Sequence, residues 1–355
     1  MSWVLAFVGF SVLIILHEFG HFVAAKATGM RVERFYLFFP PAVAKFERGE
    51  TEYGIGAIPL GGFVKITGMN PDEELPPDVA PRAYYHQPVW KRIVTIAAGP
   101  AMNLLIAFLL LFVLAFGISE PTETVGEIVP GSPAAKKLEP GDRIVSVDGE
   151  RGDQEALATA LNEHECPGGE RDGCKASTPA TVVIERDGQR EVLKITPEYD
   201  SEVDRQRLGF SYATRPVNPS VPEAARISLD FMWQVTSATV SVIARLFDPE
   251  QREQISGVVG GYETTRQAIQ FDARQALTLI AVISLSLAVI NLFPFLPLDG
   301  GHIFWSLVEK VRGKPVPFSV MERAGAVGFV LVLILFLIGL SNDIDRLRGE
   351  GFDVR

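Results

Sequence analysis

The sequence predicts a polytopic α-helical membrane protein with about four transmembrane helices, a membrane-associated β-hairpin and one inserted α/β domain. Three observations carry that reading. Hydrophobic residues make up 47% of the 355-residue chain and are gathered into long runs. The segments between those runs have their own strand and turn punctuation. Basic residues crowd the run ends on one side only.

Residues 3–25, 93–118, 276–296 and 324–340 are nearly unbroken apolar stretches. Each can cross roughly 30 Å of hydrocarbon as a helix, for which about 17–20 residues suffice. The first run has no basic residues before it and no small-residue cleavage site, so it reads as a span and not as a signal peptide. Lys26, Arg31 and Arg34 follow the first run, Lys91 and Arg92 precede the second, and Lys310, Arg312, Lys314 and Arg323 lie between the third and fourth. The positive-inside tendency then makes 26–92 and 302–323 cytoplasmic, with both termini and the segment after the second run extracytoplasmic.

The expected units are a first span over 1–25, a cytoplasmic segment with the hairpin over 26–88, and a second span over 89–118. An extracytoplasmic α/β domain over 119–200 and a connector with amphipathic surface helices over 201–275 follow. The third span covers 276–301, a cytoplasmic loop 302–323, the fourth span 324–342 and an extracytoplasmic tail 343–355. Net charge is −10, and between residues 120 and 221 there are 20 acidic against 12 basic side chains. An acidic chain without a basic patch excludes nucleic acid as a partner.

Cys166 and Cys174, the only cysteines, flank a Pro/Gly-rich tip in the segment placed outside. An oxidising compartment and that spacing predict a small disulfide-closed loop. Residues 54–67 read as the β-hairpin, with Pro59 and paired glycines punctuating short apolar strands. Residues 122–197 alternate apolar and polar positions around turns such as Asp148-Gly149 and Asp187-Gly188. In 223–247 the polar residues Arg226, Asp230, Gln234, Ser237, Ser241 and Arg245 fall on one helical stripe. That pattern predicts a helix lying along the membrane surface or against the protein.

The chemistry concentrates in two places. In His17-Glu18-Phe19-Gly20-His21 the imidazoles are four residues apart and share a helix face, so both reach one tetrahedral zinc. Glu18 lies alongside, placed to take a proton from water. A charged side chain at the bilayer centre costs about 2.5–3.5 kcal/mol even on insertion scales, so polar residues retained in a span are expected to be used. A catalytic zinc needs one more protein ligand and an open position. Asn291-Leu292-Phe293-Pro294-Phe295-Leu296-Pro297-Leu298-Asp299-Gly300-Gly301 breaks the third span with two prolines and two glycines. Such breaks at membrane depth are tolerated where they line a protein-buried or wet site. Asp299 and His302 are both candidates for the third ligand. His86 and His164 lie in loops and read as surface residues.

Taken together, these segments resemble the site-2 protease family of zinc metalloproteases, peptidase family M50, in its bacterial regulator of sigma-E protease form. The resemblance runs through His17–His21, Ile58-Pro59-Leu60-Gly61-Gly62-Phe63-Val64-Lys65, Gly99-Pro100-Ala101-Met102-Asn103, Asn291–Pro294 and Leu298-Asp299-Gly300-Gly301-His302. It implies one Zn2+ per chain held by His17, His21 and Asp299, Glu18 as the catalytic residue, and Asn291 as a substrate contact near the scissile bond. Residues 125–135 and 138–149 resemble a PDZ domain, a module that either binds a peptide end or acts as a steric gate. The best-known proteobacterial relatives carry two such domains in tandem where this chain has room for one, and their Ser-Gly-Pro is Ser256-Gly257-Val258 here.

The implied activity is hydrolysis of peptide bonds within or near the spans of single-pass membrane proteins already cut by another protease, in a bacterial inner membrane. Gly56, Ile58, Gly61, Gly62 and Val64 of the hairpin are the expected substrate-binding edge, by main-chain strand addition. The competing class is a non-catalytic membrane scaffold with a PDZ-like partner-binding module, which has no need of Glu18. A membrane CAAX-type peptidase shares His-Glu-x-x-His but not the Leu-Asp-Gly-Gly setting.

Overall fold

A computed structural model of the chain describes residues 1–70, 73–201, 203–245, 248 and 255–349, and the side chains of all of these except Leu60 and Phe271. Parts of the expected 26–88 segment, of the 201–275 connector and of the 343–355 tail lie outside the described residues. The chain divides into one unit of residues 1–115 and 220–355 and a second of residues 116–219.

In the first unit, α1 (Ser2–Ala27) is uninterrupted because no proline or helix-breaking pair occurs before Thr28. It stops where Gly29 takes φ +83 and the Met30 amide donates back to the Ala25 carbonyl at 2.9 Å. A left-handed glycine after the last turn satisfies carbonyls the helix leaves open. Helix α2 (Val89–Ala115) starts after Pro88 and carries Pro100 inside it, which removes one amide from its ladder. The two helices run antiparallel and cross tightly. A β-carbon at Gly20 would lie 2.3 Å from the Ala98 carbonyl oxygen.

Between them lie β1 (Val32–Arg48) and β2 (Thr51–Ile66), an antiparallel pair with an unusual register. Residues 42–48 of β1 pair with 51–56 of β2 across the Gly49-Glu50 turn. Residues 32–37 pair on one side with 52–55 and on the other with 62–66. The predicted hairpin over 54–67 is thus corrected. Its two arms do not pair with each other but flank 32–37, because Pro59 and Gly61-Gly62 let β2 reverse around that earlier apolar strand. Segment 62–66 has no second strand partner among the described residues. The turn is pinned by Glu50, which accepts from Arg82 Nη1 and Nη2 at 2.6 and 2.7 Å and from Lys26 Nζ at 2.7 Å. These cations, Arg82 first, hold its carboxyl at about 2.

Helix α4 (Val221–Ala244) is helical as its stripe predicts, and packs Met232 and Val235 against Ala107, Leu285 and Val289. Helix α5 (Val258–Phe271) leads into α6 (Ala273–Asn291), whose first turn is capped by Asp272 accepting from the Arg274 amide at 2.8 Å. Along α6 the Arg274 guanidinium donates to the Leu114 carbonyl, and Ser284 Oγ donates to the Asn103 carbonyl at 2.9 Å. Helix α6 therefore runs antiparallel to α2 and parallel to α1.

The expected single span over 276–301 is two helices. Helix α6 ends at Asn291, residues 292–298 are unwound, and α7 (Asp299–Arg312) begins on Asp299 itself. The prolines end the first helix, and the glycines allow the second to start against it. A β-carbon on Gly300 would lie 2.2 Å from the Leu292 carbonyl oxygen. Most of the expected 302–323 loop is thus helical, up to left-handed Gly313.

Helix α8 (Phe318–Arg348) exceeds the predicted 324–342 at both ends. Its Gly328 abuts the Leu296 carbonyl, and buried Asp343 accepts from the Gly257 amide at 3.0 Å and the Gly260 amide at 2.8 Å. The turn at Ser256-Gly257-Val258 is therefore fixed from α8, without the proline that the family pattern carries. By length and composition five helices, α1, α2, α4, α6 and α8, are able to cross a membrane, against the four runs read from hydropathy.

The second unit is a five-stranded antiparallel sheet in the order β6-β5-β4-β3-β9, made of β3 (Ser119–Ile128), β4 (Arg143–Val147), β5 (Ala180–Arg186), β6 (Gln189–Ile195) and β9 (Phe210–Pro216). The small β7 (Glu198–Asp200) and β8 (Arg205–Arg207) pair separately. One helix, α3 (Gln154–Asn162), starts at the N-cap Asp153, which accepts from the Ala156 amide at 3.0 Å. Val125, Leu138, Ile144, Leu157, Val182, Ile184 and Ile195 form the core. Both Asp-Gly turns place Asp and Gly at positive φ, as two-residue hairpin turns require. Cys166 and Cys174 are joined by a disulfide, with Cα atoms 6.1 Å apart. His164 is not an idle surface residue. Its Nε2 meets Asp148 Oδ2 at 2.8 Å and its Nδ1 meets Thr178 Oγ1 at 2.8 Å.

Candidate metal centre

The one-turn spacing of His17 and His21 on α1 turns both rings toward α2, and the start of α7 brings Asp299 to meet them. The three donor atoms form a nearly equilateral triangle. Nε2 of His17 is 3.3 Å from Nε2 of His21, and each nitrogen is 3.3 Å from Asp299 Oδ2. Metal–ligand bonds of about 2.0–2.1 Å arranged tetrahedrally give a donor–donor edge of about 3.3–3.4 Å. The triangle matches that edge on all three sides. Asp299 Oδ2 is buried and has no hydrogen-bond partner, an arrangement that leaves its lone pairs for a cation. Two imidazoles and a carboxylate are also a donor set that suits zinc. No other group of three or more such side chains is close enough to hold a metal among the described residues.

The ring atoms facing away from the triangle are held by α2. His21 Nδ1 donates to the Thr95 carbonyl at 2.9 Å, and His17 Nδ1 lies 3.1 Å from the Asn103 amide. Gly99 sits between, where a β-carbon would come within 2.2 Å of His21 Nε2. Helix α7 is fixed to α2 by Arg92, which donates to the two oxygens of Glu309 at 3.0 and 2.5 Å and stacks over Tyr85 with its Cζ 5.5 Å from the ring centroid. Arg92 is only 2% exposed. Tyr84, equally buried beside it, has its phenol pushed well above the usual range by burial.

Glu18, on the same helix turn as His17, is half-buried and faces the sheet. A β-carbon on Gly62 would lie 2.2 Å from Glu18 Cγ, so segment 62–66 runs directly against it. Of the other expected hairpin residues, Gly61 packs on the Phe39 ring, Gly56 abuts the Phe39 carbonyl, Ile58 pairs with Phe39 and Val64 with Phe35. Asn291 is the last residue of α6. His302 stands one turn along α7 from Asp299 and is not in the donor group. Sequence reasoning gave no role at the site to Arg92, Thr95 or Asn103, naming Arg92 only as a basic flank and Asn103 only within a segment that carries the family resemblance. The available signal was their spacing with Gly99, which places four non-apolar residues on one face of an apolar helix.

An α-helical membrane-type bundle enclosing a His-Glu-x-x-His helix and a converging aspartate defines a metalloprotease class of site. The comparisons agree. Residues 5–335 match peptidase family M50, and the chain belongs to that family. A protein of Nostoc sp. with the name "Putative zinc metalloprotease" is 33% identical over 366 residues, covering 99% of this chain and 98% of its own length. Proteins of Brucella suis and Clostridium acetobutylicum with the same designation are each 30% identical, covering 94% and 96% of this chain and 92% and 96% of their own lengths. The chain is a zinc-dependent metalloendopeptidase.

If Asp299 completes the triangle, Asp299→Ala purified in detergent will hold far less than one zinc per chain, while His302→Ala stays near one. Elemental analysis after dialysis against a weak chelator decides it. The reverse pattern assigns the third ligand to His302.

Proposed function

We propose that this chain is an intramembrane protease that hydrolyses peptide bonds within or beside the spans of single-pass membrane proteins, with zinc held by His17, His21 and Asp299. The observation that carries the reading is the place of the donor triangle. Two donors lie on α1 and are held from α2, both long and apolar enough to span, and the third opens α7 directly after the break that ends α6. Bound there, zinc would acidify a water molecule and polarise the scissile carbonyl. Glu18, next to His17 on that helix, takes the proton from the attacking water and passes it to the departing amine.

The remaining problem is substrate access. A helix hides its amides in internal hydrogen bonds, so the substrate must be held extended before attack. Segment 62–66 has no second strand partner among the described residues and runs against Glu18 at Gly62, which favours strand addition there. Asn291 would hold the same backbone through its side-chain amide.

The chain crosses four times in this reading, with α1, α2, α6 and α8 as the spans. Helix α6 starts beside the end of α2, where Arg274 donates to the Leu114 carbonyl. Helix α4 then lies against α2 and α6 without contributing a net crossing. The basic flanks orient the spans so that the 116–219 unit is extracytoplasmic and the active site faces the cytoplasmic side. That unit is read as a single PDZ-like domain, supported by its antiparallel sheet, its lone helix α3 and the groove of about 640 Å³ that α3 and residues 205–212 line.

Three outcomes test this. Glu18→Gln will stop cleavage yet keep about one zinc per chain, and cells carrying it will accumulate membrane stubs that wild type clears. Activity above a few per cent of wild type removes Glu18 from the mechanism.

For the edge, Val64→Pro or Ile66→Pro deletes an amide donor whose hydrogen bond is worth about 0.5–1.5 kcal/mol. Cleavage efficiency at one of the two positions should fall roughly three- to tenfold or more with zinc content unchanged. Two variants that cut like wild type would leave the sheet a passive flap.

For sidedness, a membrane-impermeant thiol reagent applied to intact cells will label Cys166 and Cys174 only after reduction. Labelling that requires lysis would invert the orientation.

A further inference from the structure

We propose that Asn103 is a positioning residue for the metal centre: its amide selects the His17 tautomer whose Nε2 lone pair faces the donor triangle. The inference rests on the ligand reading above and adds a role for a residue that it leaves idle.

The two histidines of the triangle are supported differently. His21 Nδ1 lies 2.9 Å from the Thr95 backbone carbonyl. A carbonyl only accepts, so the proton stays on Nδ1 and Nε2 keeps its lone pair. His17 has no backbone partner at that distance among the described residues. Its Nδ1 faces the side-chain amide of Asn103, 3.1 Å from Nδ2. An amide offers either a donor or an acceptor to the ring, depending on which of its atoms is turned inward.

With Nδ2 inward, His17 Nδ1 must accept, Nε2 carries the proton, and His17 cannot ligate through the atom that lies 3.3 Å from both His21 Nε2 and Asp299 Oδ2. The same orientation leaves Asn103 Oδ1 buried without a hydrogen-bond partner. A half-turn of the terminal amide resolves the conflict at His17 and gives Oδ1 a donor. Oδ1 takes the place of Nδ2 and accepts from Nδ1–H, and the Nε2 lone pair is freed for the cation.

Asn103 is built to serve this function. It is fully buried, with 0% exposure. Its backbone is tied down by Ser284 Oγ, which donates to the Asn103 carbonyl at 2.9 Å. Thr95, Gly99 and Asn103 follow one another at four-residue intervals along the α2 face that meets α1. A buried amide serving only to fill space would be an expensive choice there, since apolar residues of the same volume carry no polar atoms to satisfy.

The test compares Asn103→Leu with Asn103→Asp in the full-length protein, reading apparent zinc Kd by chelator competition and melting temperature of the metal-free form. Leucine conserves volume and removes the acceptor. Aspartate keeps an acceptor for Nδ1–H but places a buried charge. A positioning role predicts zinc binding about 10- to 100-fold weaker in Asn103→Leu, the usual effect of losing a ligand's outer partner. It also predicts Asn103→Asp within about threefold of wild type or tighter, even if its metal-free form melts lower. Should Asn103→Leu fail to fold, Asn103→Ala makes the same deletion with less bulk.

A packing role predicts the opposite order, with leucine tolerated and aspartate damaging. Wild-type zinc affinity in Asn103→Leu, or equal losses in both variants, overturns the inference. His17→Ala is the reference. If it loses zinc while Asn103→Leu does not, the ligand reading stands and only the role of Asn103 fails. If His17→Ala also keeps zinc, the ligand reading itself is wrong.

Discussion

A β-carbon at Gly20 would sit 2.3 Å from the Ala98 carbonyl oxygen, and one at Gly99 would sit 2.2 Å from His21 Nε2, so α1 and α2 cross at a separation that only glycine permits. In lipid there is no hydrophobic force to draw two apolar helices together, and small residues are what let backbones approach closely enough to pack. The crossing brings the Thr95 carbonyl and the Asn103 amide within reach of rings on the neighbouring helix. Without it, His17 and His21 would be two polar side chains on an apolar span with no support behind them. Helix α2 also sets the rest of the site. Ser284 of α6 bonds its Asn103 carbonyl, and Glu309 of α7 is gripped by its Arg92, so both elements flanking Asp299 take their positions from one helix.

Several ionisable groups are buried in this unit, and each has a reason to be tolerated. Arg92 meets both oxygens of Glu309, the paired geometry that offsets the cost of removing charge from water. Removing one member of such a pair typically costs about 3–5 kcal/mol, because the other is left uncompensated. Asp343 is surrounded by the first amides of α5, where a carboxylate also complements the helix dipole. Asp299 is the exception, with an oxygen that no donor satisfies. That exception singles out Asp299 as the candidate ligand among the buried carboxylates, and it lies at the first residue of a helix that begins where the chain has just unwound.

Much of this was legible from residue spacing. His17, Glu18 and His21 announce themselves by one-turn spacing inside an apolar run, and the break at Pro294 and Pro297 marks where a third ligand would be presented. Spacing alone did not separate Asp299 from His302, because that depended on where α7 starts. The sheet was misread because the partner of both 52–55 and 62–66 is the earlier strand 32–37, a pairing between segments that local turn signals do not report. The ends of α8 were underestimated, since hydropathy sees the apolar middle of a helix and not the polar turns continuing it. Thr95 was visible in the sequence only as a polar residue on an apolar helix, and Asn103 as part of a segment that resembles the family, and their meaning required knowing which helix they face.

The central claim is that two imidazoles and one carboxylate hold the zinc. X-ray absorption at the zinc edge, on purified protein loaded with one equivalent of metal, tests it most directly. The account predicts two imidazole scattering pathways with the remaining donors light atoms at about 2.0–2.2 Å, and a spectrum that His302→Ala leaves unchanged. Three imidazoles in the first coordination sphere, or a spectrum that His21→Ala does not alter, would contradict it.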